Sequence, residues 1–279
     1  MKTILLLILT IFVSSIYANV IRDFEATTPE GSWSKKTVFE KMIKDDSKFK
    51  KISETTFIFE KKETDGVKTF YWIEVQTQHF SPRRYSEYLL VKVDPEKFAK
   101  LHMRNVSFFT DPNYIFTVPD MVKEVYSSAN GTSYKKEDVK RMRDKVYQFK
   151  VIVTSIKKDK DHLVLSSKKV PTDKHTYTTD TVFNPGSATR LLLKNPDTKQ
   201  QSKRALKREH TIHFSDKYPF RFVKAIEKEI NNPNKGILIK AGMKMGSIPD
   251  QRKQIITNLS AFGFTGKKSK IMPLLKGQY

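Results

Sequence analysis

Three kinds of hydrophobic pattern run along this chain, and each predicts a different element. The first is a continuous apolar run. Lys2 precedes an apolar stretch from Ile4 to Val13, and Ser14-Ser15-Ile16-Tyr17-Ala18 follows it. A positive start, a short apolar centre and a small-residue exit predict a secretory signal peptide over residues 1–18, with Asn19 opening the mature chain. The run is shorter than the ~20 apolar residues that span a bilayer, and no later stretch is longer.

The second pattern alternates with a period of two. Thr55 to Lys61 sets Phe57 and Phe59 on one side, Glu63-Thr64-Asp65-Gly66 makes a turn, and Val67 to His79 carries apolar residues on both faces. Tyr88 to Val93 follows Ser81-Pro82, so the three segments predict an antiparallel meander with a covered central strand. Val146 to Ile156 and Leu163 to Ser167 predict a hairpin turning at Lys158-Asp159-Lys160-Asp161. Further strands are expected at Val106–Phe109, Tyr114–Thr117, Thr176–Phe183, Thr189–Lys194, Glu209–Phe214 and Ile237–Ala241.

The third pattern has helical spacing. Val38, Phe39, Met42 and Ile43 predict a helix capped by Ser34, and Asp94-Pro95 opens a short helix through Met103. Pro119-Asp120 opens another with Met121, Val122 and Val125, and a basic helix is expected from Tyr134 to about Lys145. Phe222, Val223, Ile226 and Ile230 form a stripe after Pro219. Ile255, Ile256, Leu259 and Phe262 form another over Pro249–Ala261, with Gly263 just past its end. Together these predict an α+β protein: a meander and hairpin sheet, short helices and a C-terminal amphipathic helix.

The predicted organisation is a signal peptide (1–18), a lead-in (19–33) and two α+β halves (34–130 and 131–279) meeting near the turn-prone Ser127–Ser133. One continuous domain over 34–263 with a basic tail (264–279) fits the same pattern. The 261 residues left after the signal (279 − 18) sit near the upper size of a single core.

Composition narrows the setting. The chain has no cysteine, which excludes disulfides, thiolate metal sites and thiol nucleophiles. An exported cysteine-free protein suits a bacterial periplasm or extracellular space. Asn105, Asn130 and Asn258 head Asn-x-Ser/Thr tripeptides, which become glycans only in a host with an ER. The formal net charge is +22, far beyond the ~2–8 of ordinary small domains, and points to polyanionic partners. Outside the cytoplasm those are lipid head groups, lipopolysaccharide and acidic glycans. Basic doublets spread along the whole chain, but two stretches lack any acid: Lys199, Lys203, Arg204, Lys207 and Arg208, and a tail with Lys267, Lys268 and Lys270. These eight are the predicted anion contacts.

Candidate chemistry is thin. His210 and His213 are three apart in a predicted strand, hence on opposite faces, so no metal centre and no cofactor are expected. No Gly-x-Ser-x-Gly elbow occurs, and Gly263-Phe264-Thr265-Gly266-Lys267-Lys268-Ser269 lacks phosphate-loop spacing. Glu74 reads as a salt-bridged rim residue. The function expected is non-enzymatic binding to an anionic surface or glycan at the cell envelope. One alternative is a carrier of an apolar ligand walled by Phe57, Phe59, Tyr71, Ile73 and the Pro249–Ala261 helix. Another is a hydrolase in which His79, His102 or His213 meets a serine or carboxylate.

Overall fold

The computed structural model describes residues 21–44, 48–104, 115–116, 118, 120–146, 149–165, 167–183, 204–231, 250 and 252–276. The predicted signal, the predicted strands at Val106–Phe109, Thr189–Lys194 and Ile237–Ala241, and the side chain of His102 lie outside the described parts.

Eleven strands form one antiparallel sheet: β1 (Trp33–Met42), β2 (Lys50–Asp65), β3 (Lys68–His79), β4 (Tyr85–Val93), β5 (Val122–Ser128), β6 (Lys135–Lys136), β7 (Phe149–Leu165), β8 (Lys168–Phe183), β9 (Arg204–Phe214), β10 (Phe222–Glu229) and β11 (Lys253–Gly263). Their order across the sheet is β6-β5-β4-β3-β2-β1-β11-β10-β9-β8-β7. Among the described residues, four helical segments accompany it: α1 over residues 21–27, α2 (Pro95–Arg104), α3 (Val139–Val146) and α4 (Met272–Lys276). The protein is therefore mostly β, which corrects the α+β expectation.

Three predicted helices are strands. The Ser34 segment is β1, the Pro219 segment is β10 and the Pro249–Ala261 segment is β11. Their inward rows carry polar residues: Ser34 and Lys36 in β1, Glu227 and Glu229 in β10, Thr257 in β11. Polar residues on the buried side erase the period of two and leave an accidental helical stripe. Val122 and Val125 belong to β5, not to a helix. The predicted hairpin at Lys158–Asp161 is also absent: β7 runs straight through it, and Leu165 pairs with Lys168. The lead-in is structured too, since Phe24 of α1 is fully buried. The β2–β3–β4 meander stands as expected, β3 pairing with β2 from Ser53↔His79 with one bulge between Phe59 and Lys61, and with β4 in unbroken register from Tyr71↔Val93.

The sheet is strongly curved, and chain length shows why. β6 and β7 lie at opposite edges yet are consecutive in sequence. A flat eleven-stranded sheet would hold its edges ~48 Å apart. The connection over residues 137–148, including the eight-residue α3, reaches at most about 32 Å. The sheet must curl into a half-barrel whose seam α3 bridges.

The concave face holds the main core. It joins Phe57, Phe59, Tyr71 and Ile73 to Tyr177, Ile212, Phe214 and Phe222 from the far strands, and Val139 and Met142 of α3 pack on it. Phe24 sits among these rings, 5.8 Å from Phe59, 5.7 Å from Tyr71 and 6.3 Å from Phe220. A smaller core on the convex face unites Trp72 and Leu90 with Ile271 and Met272, so the chain after β11 folds back over the sheet. That returning segment, residues 264–276, is here called the strap.

Candidate functional site

Exposed aromatic rings meet at one end of the half-barrel. β1 starts there and β11 ends there, Trp33 pairing with Gly263. The turn between β9 and β10 lies at the same end, since Phe214 pairs with Phe222 across it. Tyr218 of that turn packs edge-on against Phe262 at 4.8 Å, and Phe262 against Phe264 at 6.4 Å. Phe262 and Phe264 remain 43% and 45% exposed, a costly display unless something covers it.

One cation meets an aromatic ring where the strap leaves the sheet. Lys267 reaches over the Trp33 ring at 5.5 Å, the exposed Lys268 follows it in the chain, and the exposed Lys217 precedes Tyr218 in the β9–β10 turn, whereas Lys270 lies farther along the strap, beside Gly131 and Tyr88. The Trp33 indole N–H donates to the Thr265 carbonyl at 3.0 Å and fixes where the strap leaves the sheet. A Cβ on Gly263 would lie 2.6 Å from that indole nitrogen, so only glycine lets Trp33 lie flat there.

The predicted anion contacts divide between places. Lys199 and Lys203 lie outside the described residues. Arg204 opens β9 at the opposite end of the half-barrel from the rim. Lys207 and Arg208 alternate faces: Lys207 points outward, 3.8 Å from Asp180, and Arg208 points inward, 3.1 Å from Glu229 and 3.7 Å from Glu227. Lys267, Lys268 and Lys270 all lie on the segment after β11, but only Lys267 is brought over a rim ring, that of Trp33; the Lys268 carbonyl meets Gln76 on β3, and Lys270 lies by Gly131. The basic tail is a docked strap, and its anchor is Glu74. That carboxylate is fully buried, in contrast to the rim role expected for it.

The histidines serve the sheet. His213 Nδ1 lies 3.2 Å from the Thr172 hydroxyl, and His210 Nε2 lies 2.7 Å from that of Thr179, on opposite faces of β9. His210 stacks flat on Tyr177 at 4.6 Å, with Glu227 3.8 Å from its Nδ1. Hydroxyl, imidazole and carboxylate here stand in the order of a catalytic relay, with the carboxylate at a longer distance than a hydrogen bond. Burial, with the Arg208 charge, pulls the His210 pKa down to about 4. His79 meets Glu87 at 2.9 Å on the exposed opposite end. Among the described residues, no three His, Asp or Glu side chains gather around a metal-sized space.

Lys36 is the most unusual interior residue. Its ammonium position lies 4.0 Å from the centre of the Phe57 ring and 4.6 Å from that of Phe222, and burial pushes its pKa well below the ordinary lysine range. The walls expected for an apolar ligand, Phe57, Phe59, Tyr71 and Ile73, meet Phe24 and one another instead.

Sequence reasoning missed the rim aromatics. Phe262 was assigned to the buried side of a helix, although Phe-Gly-Phe followed three residues later by Lys-Lys was a visible signal.

No protein-family model matches the chain, and no curated protein matches it. Two crystal structures resemble it remotely. One, from Parabacteroides distasonis ATCC 8503, is described as a "putative lipoprotein"; it is 9% identical, with a TM-score of 0.37, over 85% of this chain and 98% of that one. The other, from Bacteroides fragilis NCTC 9343, is described as a "putative exported protein with YmcC-like fold"; it is 7% identical, with a TM-score of 0.37, over 85% and 97%.

Proposed function

We propose that this is an exported, non-enzymatic protein that docks on an anionic lipid surface at the cell envelope through the rim of Tyr218, Phe262 and Phe264 and the lysines Lys217, Lys267, Lys268 and Lys270. The observation that carries this reading is the pair of half-exposed phenylalanines at the start of a strap whose Lys267 reaches over Trp33. Export is supported by the signal pattern over residues 1–18. Aromatic rings enter the interface between head groups and acyl chains, and each adjacent lysine adds ~1 kcal/mol on an anionic leaflet. Covering the exposed part of each Phe ring, roughly 90 Å² of a ~200 Å² side chain, adds up to about 2 kcal/mol apiece.

The test is co-sedimentation of the mature chain with vesicles of phosphatidylglycerol and phosphatidylcholine in equal parts. Binding is expected to fall steeply with salt, to be weak on phosphatidylcholine alone, and to drop at least tenfold in the double variant Phe262→Ser, Phe264→Ser. Equal binding to both vesicle types, or a double variant that binds unchanged, refutes the proposal.

A further inference from the structure

The strap that carries Phe264, Lys267 and Lys268 is pinned at two points, and the second lies deep in the sheet. Glu74 sits mid-strand in β3 with no exposed surface. Its carboxylate accepts hydrogen bonds from the Ser269 hydroxyl, from the Lys270 N–H at 2.8 Å, from the Ile271 N–H at 3.2 Å and from the Gln76 amide at 2.8 Å. The same Gln76 amide also reaches the Lys268 carbonyl at 3.3 Å. Ser269 in turn accepts the Met272 N–H at 2.9 Å and caps α4, which seats Ile271 and Met272 on Trp72 and Leu90. A buried carboxylate ringed by donors is a strong, directional anchor.

The other pin is the Trp33 bond to Thr265. Between the two pins lie only Gly266, with φ +89°, Lys267 and Lys268. We infer that Glu74 is a positioning residue for the rim: by clamping the strap behind the sheet it holds Lys267 over Trp33 at the base of the Phe264 turn, without touching the bound surface itself. A loop ordered in advance loses no freedom on docking, whereas a released one must be ordered at the expense of affinity. This inference rests on the anionic-surface reading.

The chain's two tryptophans make the clamp observable, because Trp33 holds the first pin and Trp72 lies under the second. Their emission reads whether the strap is seated. The experiment compares the mature wild type with Glu74→Ala, Ser269→Ala and Val91→Ala on the same mixed phosphatidylglycerol and phosphatidylcholine vesicles, measuring affinity, tryptophan emission and thermal midpoint. Val91 lies in the concave core, away from the strap. Glu74→Ala is expected to shift emission to the red and weaken binding at least tenfold. Ser269→Ala should move both in the same direction to a smaller extent, and it carries the test if Glu74→Ala does not fold. Val91→Ala should lower the thermal midpoint while binding as wild type does.

A red-shifted Glu74→Ala with unchanged affinity overturns the inference, as does one with unchanged emission. In either case a binding wild type leaves the surface-docking reading intact; a wild type that ignores the vesicles removes that reading itself.

Discussion

Replacing Glu60 with glutamine should stabilise the protein at alkaline pH and do nothing at acid pH. Glu60 is the extra residue at the β2 bulge, where Phe59 pairs with Ile73 and Lys61 with Trp72. Burial and the neighbouring Glu74 carboxylate raise its pKa from 4.5 to about 7, against a smaller opposing pull from Lys276. The folded protein thus holds this proton more tightly than the unfolded chain does. Its stability is full below about pH 4.5, declines as pH rises, and levels off above about pH 7. The full gap corresponds to a ceiling of about 3.4 kcal/mol. Glu60 is only half-buried, so solvent screening reduces this to about 1–2 kcal/mol. Glutamine carries no titrating proton and fills the same space. Urea unfolding of both proteins at pH 5 and pH 8 isolates the effect, since the other carboxylates cancel in the difference. At pH 8 the variant midpoint should lie higher by roughly 0.5 M. A difference of the same size at both pH values, or a less stable variant at pH 8, refutes the reasoning.

Two further substitutions test the interior and the rim. Lys36→Met keeps the length of the side chain in its aromatic surroundings while removing an amine whose charging burial opposes; it should raise the stability by about 1–3 kcal/mol. It should also remove the part of the wild-type stability that grows with pH below the ordinary lysine range, and a lower thermal midpoint contradicts this account. Gly263→Ala forces a Cβ into the Trp33 indole and should cost about 1–3 kcal/mol, with a red shift in emission as the Thr265 bond breaks; a neutral outcome shows that Trp33 can tilt away freely.

What the sequence made legible follows from which face of each strand is apolar. The meander from Phe57 through Val93 could be read directly, because both sheet faces there bury apolar residues such as Tyr71, Trp72 and Ile73. β1, β10 and β11 could not, because Lys36, Glu227, Glu229 and Thr257 occupy the inward positions where alternation would need apolar side chains. The straight run of β7 was hidden for another reason. Its middle is open to solvent at Ile156, Lys157 and Lys158, so no burial pattern marks it as strand. At the rim, the lysines of the tail were visible as charge. Their relation to Phe264, Trp33 and Glu74 was not, since it depends on a return path of the chain over β3, and contacts separated by 195 residues, such as Ser269 with Glu74, leave no local trace.

The place of β11 has a consequence for how such a chain reaches its final form. Its residues 253–263 insert between β1 and β10 and pair with both. Until the eleventh strand is made, β1 and β10 each present a row of unpaired amides and carbonyls, and no local contact can satisfy them. Contacts this distant in sequence form slowly. The sheet is thereby kept open between β1 and β10 until residues 253–263 are made. A product cut short ahead of residue 253 would carry two sticky edges and be a ready seed for aggregation.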